Sequence, residues 1–287
     1  MTREPATTAD AVREYYATFG QGEWHRLLTS EGRLEFAITT ALLDQHLPST
    51  GRVLDIGGGP GRYAAWLANR GLEVSLADLS PDLLEIARAN LAPGSVRETV
   101  EADARNLSRW GADEFDAVVC LGPFYHLTTP DDRRAATAEL RRVVRPGGLV
   151  AVALMPKYGY LRRTVAVHDE RHHLDDEAFL RRVVEDGVFV NDVPGRFTHG
   201  FGVEPSDVGG PFEDAGLQTI TVASTHGFAT GIEDQLDTLR AENPVAYGRT
   251  LELLIQTASD PSLFGTAGHL LYLGRRPGTG SPRFGQA

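Results

Sequence analysis

The sequence predicts an α/β fold: a doubly wound, mostly parallel sheet of seven strands, preceded by helices and carrying an insertion after its fifth strand. Three observations predict it. Apolar strand-like runs alternate with amphipathic helical runs over about a hundred residues, and crossovers of that length join parallel strands with helices on both faces. Between the first strand and first helix of that series, "VLDIGGGPGRYAAWLANRG" (residues 53–71) places four glycines and a proline within five positions. Two further apolar runs, "LQTITVAS" and "HLLYLGRR", lie near the C-terminus and supply the last strands.

Each element has its own signal. Residues 10–46 read as helices with apolar and aromatic positions and no strand. "RVLDI" is a buried strand, and "RYAAWLANR" a helix with Tyr63, Trp66, Leu67 and Arg70 at helical spacing and Gly71 as its C-cap. "LEVSLAD" is the second strand. "SPDLLEIARANL" is a helix with Ser80 as N-cap, Pro81 at its first position and Asp82 in its first turn. A short third strand falls within 96–101. "FDAVVCLG" is continuously apolar, hence buried on both faces. Residues 131–144 form a helix with Ala136, Leu140, Val143 and Val144 inward, stopped by Pro146-Gly147-Gly148, and "GLVAVALM" is the fifth strand. Residues 156–205 are charged, with scattered aromatics and four histidines, and read as an insertion, within which 168–177 shows no sign of a buried scaffold. A weak helix in "SDVGGPFEDAG" and a long helical stretch over 232–258, interrupted near Pro244, flank the sixth strand. Polar, Gly/Pro-rich ends at 1–10 and 276–287 are expected to be mobile.

The composition bounds the function. With 287 residues, 41% of them hydrophobic and 23% charged, this is a globular chain rather than a disordered one. A net charge of −11 disfavours nucleic acid as a partner. Arg141, Arg142 and Arg145, the nearest thing to a basic patch, fit one solvated helix face. No run approaches the roughly 20 apolar residues of a membrane span. "MTREPATTAD" lacks a secretory pattern. Cys120 stands alone, which excludes an internal disulfide and a multi-cysteine zinc site. A cytoplasmic location is the expectation.

The glycine run sits where a doubly wound sheet takes its ligand, beyond the strand carboxyl ends at the reversal of strand order. Glycine there lets a ligand approach bare main chain. The spacing is Gly57-x-Gly59-x-Gly61, with Arg62 where a dinucleotide fingerprint would place its third glycine. No Lys-Ser/Thr pair follows, so a P-loop is excluded. Asp78 closes the second strand, where a carboxylate can accept from both ribose hydroxyls. Asp103 follows the third strand, where an acid can accept from an adenine amine. An adenosine-containing ligand without a pyrophosphate fits this set.

"VLDIGGGPGRYAAWLA", "LADLSPDLL", "EADARNL", "FDAVVCLGPFYHL" and "LRRVVRPGGLVAVAL" resemble, in order and spacing, the motifs of class I S-adenosylmethionine-dependent methyltransferases, with their Rossmann-like sheet. "YYATFGQGEWHRL" plus "GPFYHL" is similar to a bacterial small-molecule group whose N-terminal helices cap the cofactor. The resemblance implies five segments: a helical cap over 1–50, a cofactor-binding core over 51–155, an insertion or lid shaping the substrate pocket over 156–205, completion of the sheet over 206–275, and a flexible tail over 276–287. It implies S-adenosyl-L-methionine as cofactor. Asp55 would orient the loop or reach the methionyl amine through a water, and Gly57, Gly59 and Gly61 would lie against the methionyl and ribose part. Asp78, followed by Leu79, would hold the ribose. Asp103 would hold the adenine amine with the Ala104 N–H near the ring, and Leu121 and Gly122 would line the methionyl end. Gly58 departs from the family, which often has a small polar residue or cysteine there.

Methyl transfer from a sulfonium needs in-line placement of the acceptor. A base is needed only for a protonated acceptor. His126 is the candidate base, its ordinary pKa near 6.5 suiting the task, with helix capping or pocket shaping as the competing role. Tyr125 reads as wall. Tyr15 and Tyr16 offer ring faces to the sulfonium, an attraction of roughly 0.5–2 kcal/mol, with only one of the two expected to matter. Trp24 and His25 are weaker candidates of the same kind. "HDERHHLDDE" (168–177) pairs His168 and His172 four apart, but its charge reads as a solvated helix or lid, and no metal is expected. Arg162 and Arg163 are expected at the surface rather than against an acidic substrate.

The expected function is methyl transfer to an oxygen or nitrogen of a small molecule, a natural-product intermediate being one such acceptor. Three alternatives stay open: a cofactor-retaining enzyme of rearrangement or decarboxylation, a non-catalytic binding module of the same fold, and, more distantly, a dinucleotide-dependent oxidoreductase. The absence of Asn/Asp-Pro-Pro-Tyr after the fourth strand disfavours nucleobase and glutamine amide nitrogens. No nucleic-acid or membrane partner is expected, and a homodimer is left open.

Overall fold

The computed structural model describes residues 8–278 apart from Pro194 and Thr198. Three helices come first: α1 (Thr8–Phe19), α2 (Gln21–Arg26) and α3 (Ser30–Asp44). The alternating series follows as β1 (Arg52–Ile56), α4 (Arg62–Asn69), β2 (Glu73–Asp78), α5 (Pro81–Asn90), β3 (Glu98–Glu101), β4 (Phe115–Cys120), α6 (Pro130–Val143) and β5 (Val144–Pro156). Next come α7 (Lys157–Ala166), α8 (Glu177–Arg181), β6 (Val188–Val190) and β7 (His199–Val203). The chain ends with α9 (Gly210–Asp214), β8 (Gln218–Ser224), α10 (Glu233–Glu242), α11 (Pro244–Thr257) and β9 (Leu270–Arg275).

The strands lie in the order β3-β2-β1-β4-β5, all parallel; β9 runs antiparallel beside β5, and β8 antiparallel beside β9. These are the seven expected strands. Strand order reverses between β1 and β4, so their carboxyl ends flank the crevice where such sheets bind ligands. Side chains alternate across the sheet, as the period of two requires. Leu54 and Ile56 of β1 join the core on one face with Phe115, Phe212 and Tyr272. Val53 joins the other with Ile38, Leu43, Leu67 and Leu254. Helix α3 is thus a layer of the core, packed against α10 and α11, rather than a loose cover.

Local signals act as expected at several ends. Ser80 Oγ accepts from Leu83 N at 3.3 Å behind Pro81, Gly71 takes a φ of +83° after α4, and Asn243 caps α11 at its break from α10. The third strand is shorter than expected, Glu98–Glu101.

Two readings need correction. The fifth strand starts at Val144, not after the glycines: Val144 is already extended at ψ 137° and pairs with Phe115 of β4, and Arg145, the residue before Pro146, cannot return to the helix. The insertion has a scaffold: Tyr160, Phe179, Val183 and Phe189 are buried together, and β6 and β7 form a hairpin. β7 pairs in parallel with Met155 and Pro156 at the tip of β5, so the insertion continues the main sheet as an eighth and ninth strand. The sequence hid this because β6 has three residues and β7, "HGFGV", carries two glycines. Of the ends expected to be mobile, residues 1–7 and 279–287 lie outside the described residues. No helix among the described residues is long and apolar enough to cross a membrane.

Candidate active site

The carboxyl edge of the sheet opens into a cleft holding about 1220 Å³ free of protein atoms, its mouth included. Its floor crosses four neighbouring strands, β3, β2, β1 and β4, hence about 14 Å at the usual strand spacing. The sequence candidates Asp55, Gly57, Gly59, Asp78, Leu79, Asp103, Ala104, Leu121, Tyr16 and His126 all line it.

The glycines divide the work. Gly57 has a φ of +72°, and a Cβ there would lie 2.3 Å from Pro123 Cδ, so this glycine lets the β1 and β4 ends close on each other. Gly59, φ +53°, is uncrowded on its Cβ side: a Cβ there would come no nearer to a neighbour than 3.8 Å, at Leu83 Cδ1. Gly61 does not line the cleft, contrary to expectation. It precedes α4 in the left-handed region at φ +87° and faces Ala87 of α5 and Leu91 just beyond it.

Asp78 is anchored. Its Oδ2 accepts from Gly59 N and its Oδ1 from Ser80 N, both at 2.8 Å. Burial pushes its carboxyl up to about 6 in spite of those bonds. Asp55 lies beside it, 1% exposed, with Oδ2 unpartnered. Burial, then the neighbouring Asp78 charge, pushes Asp55 up to about 7. Two buried acids without a countercharge suit a cationic guest. Asp103 is not free as expected: both its oxygens accept from Arg105, which also reaches Asp132 Oδ1 at 2.8 Å. The Arg105 guanidinium outweighs burial and holds the Asp103 carboxyl below its usual range.

The cap is latched over these strand ends. Arg13 of α1 donates to Leu79 O at 3.3 Å and to Glu101 Oε1 at 3.1 Å. Tyr16, one turn on, reaches His126 Nε2 at 3.1 Å. His126 Nδ1 lies 3.0 Å from the His199 carbonyl, which can only accept, so Nδ1 carries the proton. Burial pushes His126 down to about 4, leaving a neutral ring whose Nε2 accepts from the Tyr16 hydroxyl. Both ring nitrogens are engaged, so the expected base is a clamp between the cap, the turn after β4 and β7. Tyr15 does not line the cleft; it stacks on Phe19 and meets Phe197 edge-on.

On α2 the expected Trp24 and His25 are not in the cleft. Their neighbours Glu23 and Arg26 are, because residues three apart share a helix face. Arg26 binds the Glu23 carboxylate with Nε and Nη2. Glu35 of α3 and His269, just before β9, complete this wall with Nδ1 and Oε1 3.0 Å apart. Sequence reasoning misses these four residues. One signal could have found Glu35: it is the one charge in the apolar run "LEFAITTALL".

The other charged candidates lie elsewhere. Arg163 pairs with the fully buried Glu170, and Arg162 donates to the Thr266 carbonyl. Among the described residues the groups that could share a cation are His172, His173 and Asp192, rather than His168 with His172. His173 Nε2 is already directed at Asn191 Oδ1, 3.1 Å away.

Comparison with known proteins agrees with this edge. Residues 53–148 match the family described as a methyltransferase domain. A glycine/sarcosine N-methyltransferase from Aphanothece halophytica is 36% identical over 129 residues, 44% of this chain and 46% of its own length. The chain thus spans less than half the length of that relative. Two solved structures share the fold. A SAM-dependent methyltransferase from Methanosarcina mazei superposes with a TM-score of 0.57 at 16% identity, over 83% of this chain and 97% of its own. The 1,6-didemethyltoxoflavin-N1-methyltransferase of Burkholderia thailandensis, determined with S-adenosylhomocysteine, gives 0.55 at 15%, over 96% and 93%. A β8–β9 pair closing a parallel sheet, a glycine turn after β1, an acid at the end of β2 and another after β3 accompany that domain match; residues 53–148 carry a methyltransferase domain, on a fold shared with SAM-dependent methyltransferases of known structure.

Proposed function

We propose that this protein transfers the methyl group of S-adenosylmethionine to an oxygen or nitrogen of a small molecule held under α1 and α2. The observation that supports this most is the cleft itself: one covered space that joins the acid-lined ends of β2 and β3 to the aromatic end of β4. Its residues fit the cofactor. The uncrowded face of Gly59 and the anchored Asp78 and Leu79 would take the ribose. Ala104 and the Asp103–Arg105 pair would take the adenine. The unpartnered Asp55 oxygen, with Gly57 and Leu121, would face the methionyl group. When bound, the cofactor supplies a methyl group already activated on a sulfonium, so the protein's task is positioning and exclusion of water.

The residues divide that task. Arg13 holds α1 down on β2 and β3. Tyr16, fixed by the neutral His126, presents an aromatic face in the covered part, where a cation is stabilised by roughly 0.5–2 kcal/mol. Tyr125 and His269 form the wall beyond it, their rings 5.4 Å apart. The relative's printed activity, N-methylation of glycine and sarcosine, is chemistry of the same small-molecule kind.

Titration calorimetry with S-adenosylmethionine and S-adenosylhomocysteine, followed by mass spectrometry of a panel of small amines, phenols and alcohols, tests this reading. Cofactor binding and a product heavier by one methylene are expected. Binding of neither cofactor form refutes it, and cofactor binding with a product that gains no mass favours non-methylating chemistry.

A further inference from the structure

Proton acceptance in the cleft has no owner once His126 is placed between Tyr16 and the His199 carbonyl. We propose that His269, oriented by Glu35, is the proton acceptor of the methyl-transfer step, so that the substrate is a nucleophile carrying a proton, an ammonium or a hydroxyl compound. This rests on the methyl-transfer reading above.

Three observations carry it. Both side chains line the cleft, at the wall formed with Tyr125 and beyond the β4 end. Glu35 Oε1 lies 3.0 Å from Nδ1 of His269, close enough for the carboxylate charge to favour a proton on that nitrogen although the two are not aligned as a hydrogen bond; a proton on Nδ1 leaves the lone pair on Nε2. The two residues are also drawn from distant parts of the fold, Glu35 from within α3 and His269 from the loop one residue before β9. A carboxylate that orients an imidazole in this way is the common arrangement for a base in acyl transfer, where it also stabilises the imidazolium that forms.

Electrostatics points the same way. Burial lowers the His269 pKa, but the neighbouring Glu35 carboxylate more than offsets it, and the net direction is upward. The same pair holds Glu35 well below the usual carboxylate range. The charged and titratable groups facing the ring are Glu35 and Glu31 from α3, Arg26 from α2, His226 before the turn after β8, and Tyr125 after β4. Arg26 opposes protonation and the two acids favour it.

The step balances without a further reactant. An ammonium first gives its proton to Nε2 of His269, which frees the nitrogen lone pair, whereas a hydroxyl gives its proton as its oxygen lone pair attacks; that pair forms the bond to the methyl carbon, the carbon–sulfur pair stays on sulfur, and the proton on Nε2 passes to water. Glu35 is a positioning residue in this scheme; it changes no bond.

The test uses the full chain. Imidazole NMR of the cofactor-free protein should show His269 titrating above 6.5 in the Nδ1–H form. In Glu35→Gln that pKa should fall by about one to three units. With glycine and catechol as amine and phenol probes, kcat/KM should rise with pH through the His269 pKa, and Glu35→Gln should move that limb to lower pH. His269→Gln should lose about 10²- to 10⁴-fold in kcat while calorimetry shows unchanged cofactor affinity. If neither probe is turned over, the NMR titration alone decides. A His269 pKa unmoved by Glu35→Gln overturns the proposal, and so does activity that falls as pH rises, which would make the imidazolium a seat for an anionic substrate. Intact cofactor binding with either result sinks this role alone. Loss of cofactor binding in the wild type sinks the functional reading and this role together.

Discussion

The ends of β1, β2 and β3 and the wall made by α2, α3 and the entry to β9 face the same cleft but are built in opposite ways. On the first side the working groups are main-chain atoms and two anchored acids, within the segment from Asp55 to Asp103. On the second they are side chains from residues 23, 26, 35 and 269, joined only by the fold. A backbone site dictates glycine and a fixed spacing between strand ends, which a sequence displays. A side-chain site assembled across more than two hundred residues displays no spacing at all.

That difference explains how far the sequence can be read. The alternation of parallel strands with helices, the final pair of strands, the Ser80 cap and the break at Pro244 all follow from local signals and stand as expected. Gly57, Gly59, Asp55 and Asp78 can be named because a strand end must be followed by a turn, and turns carry residue-specific demands. Trp24 and His25 stand out ahead of Glu23 and Arg26 because nothing in a six-residue helix says which face turns inward. His126 is legible as important but not as engaged, because its two partners come from α1 and from the residue that opens β7. The insertion's core stays hidden under its charges, since a buried Glu170 looks like an exposed one until Arg163 and Asn191 are placed around it.

That buried carboxylate gives the largest expected effect. Arg163→Ala leaves Glu170, fully shielded from solvent, with the Asn191 amide as its remaining partner. Uncompensated buried charges of this kind cost about 3–5 kcal/mol. Urea unfolding should show a loss of that order, with the insertion melting first in hydrogen exchange and the β1–β4 strands still protected. Uniform loss of protection would show that insertion and core unfold as one unit, removing the contrast between them.

Next is Asp78→Ala, which strips the acceptor from Gly59 N and Ser80 N and removes the charge opposite the proposed ribose. Hydrogen bonds to charged groups are worth about 1.5–3 kcal/mol, so S-adenosylmethionine affinity should fall by about 10- to 100-fold. Calorimetry on the variant measures it. Unchanged affinity would move the cofactor off the β2 end.

Asp55→Asn probes the same side through pH. The folded carboxyl titrates near 7, above its ordinary 3.8. A raised acid contributes stability fully present below its unfolded value and lost as pH climbs through the folded one. The cofactor-free wild type should therefore lose stability as pH climbs from about 4 to 7, about 2–3 kcal/mol of it between pH 5 and pH 8 from this residue. The asparagine variant should lack that decline, and thermal melts at pH 5 and pH 8 compare the two. Equal slopes would mean that a water or ion already compensates Asp55.

The smallest effect sharpens the comparison most, because it separates the two sides of the cleft. Tyr16→Phe keeps the ring and removes only the hydroxyl that donates to His126 Nε2. The buried nitrogen then lacks its donor, a loss of about 1 kcal/mol. If Tyr16 contributes its ring face to a sulfonium, cofactor affinity should hold, since the face is unchanged. The cost should instead appear in the acceptor's KM, roughly fivefold, because α1 is less firmly fixed over the β4 end. Should cofactor affinity fall and the acceptor's KM stay put, the hydroxyl would belong to the backbone-built side, and the boundary between the two would have to move across α1.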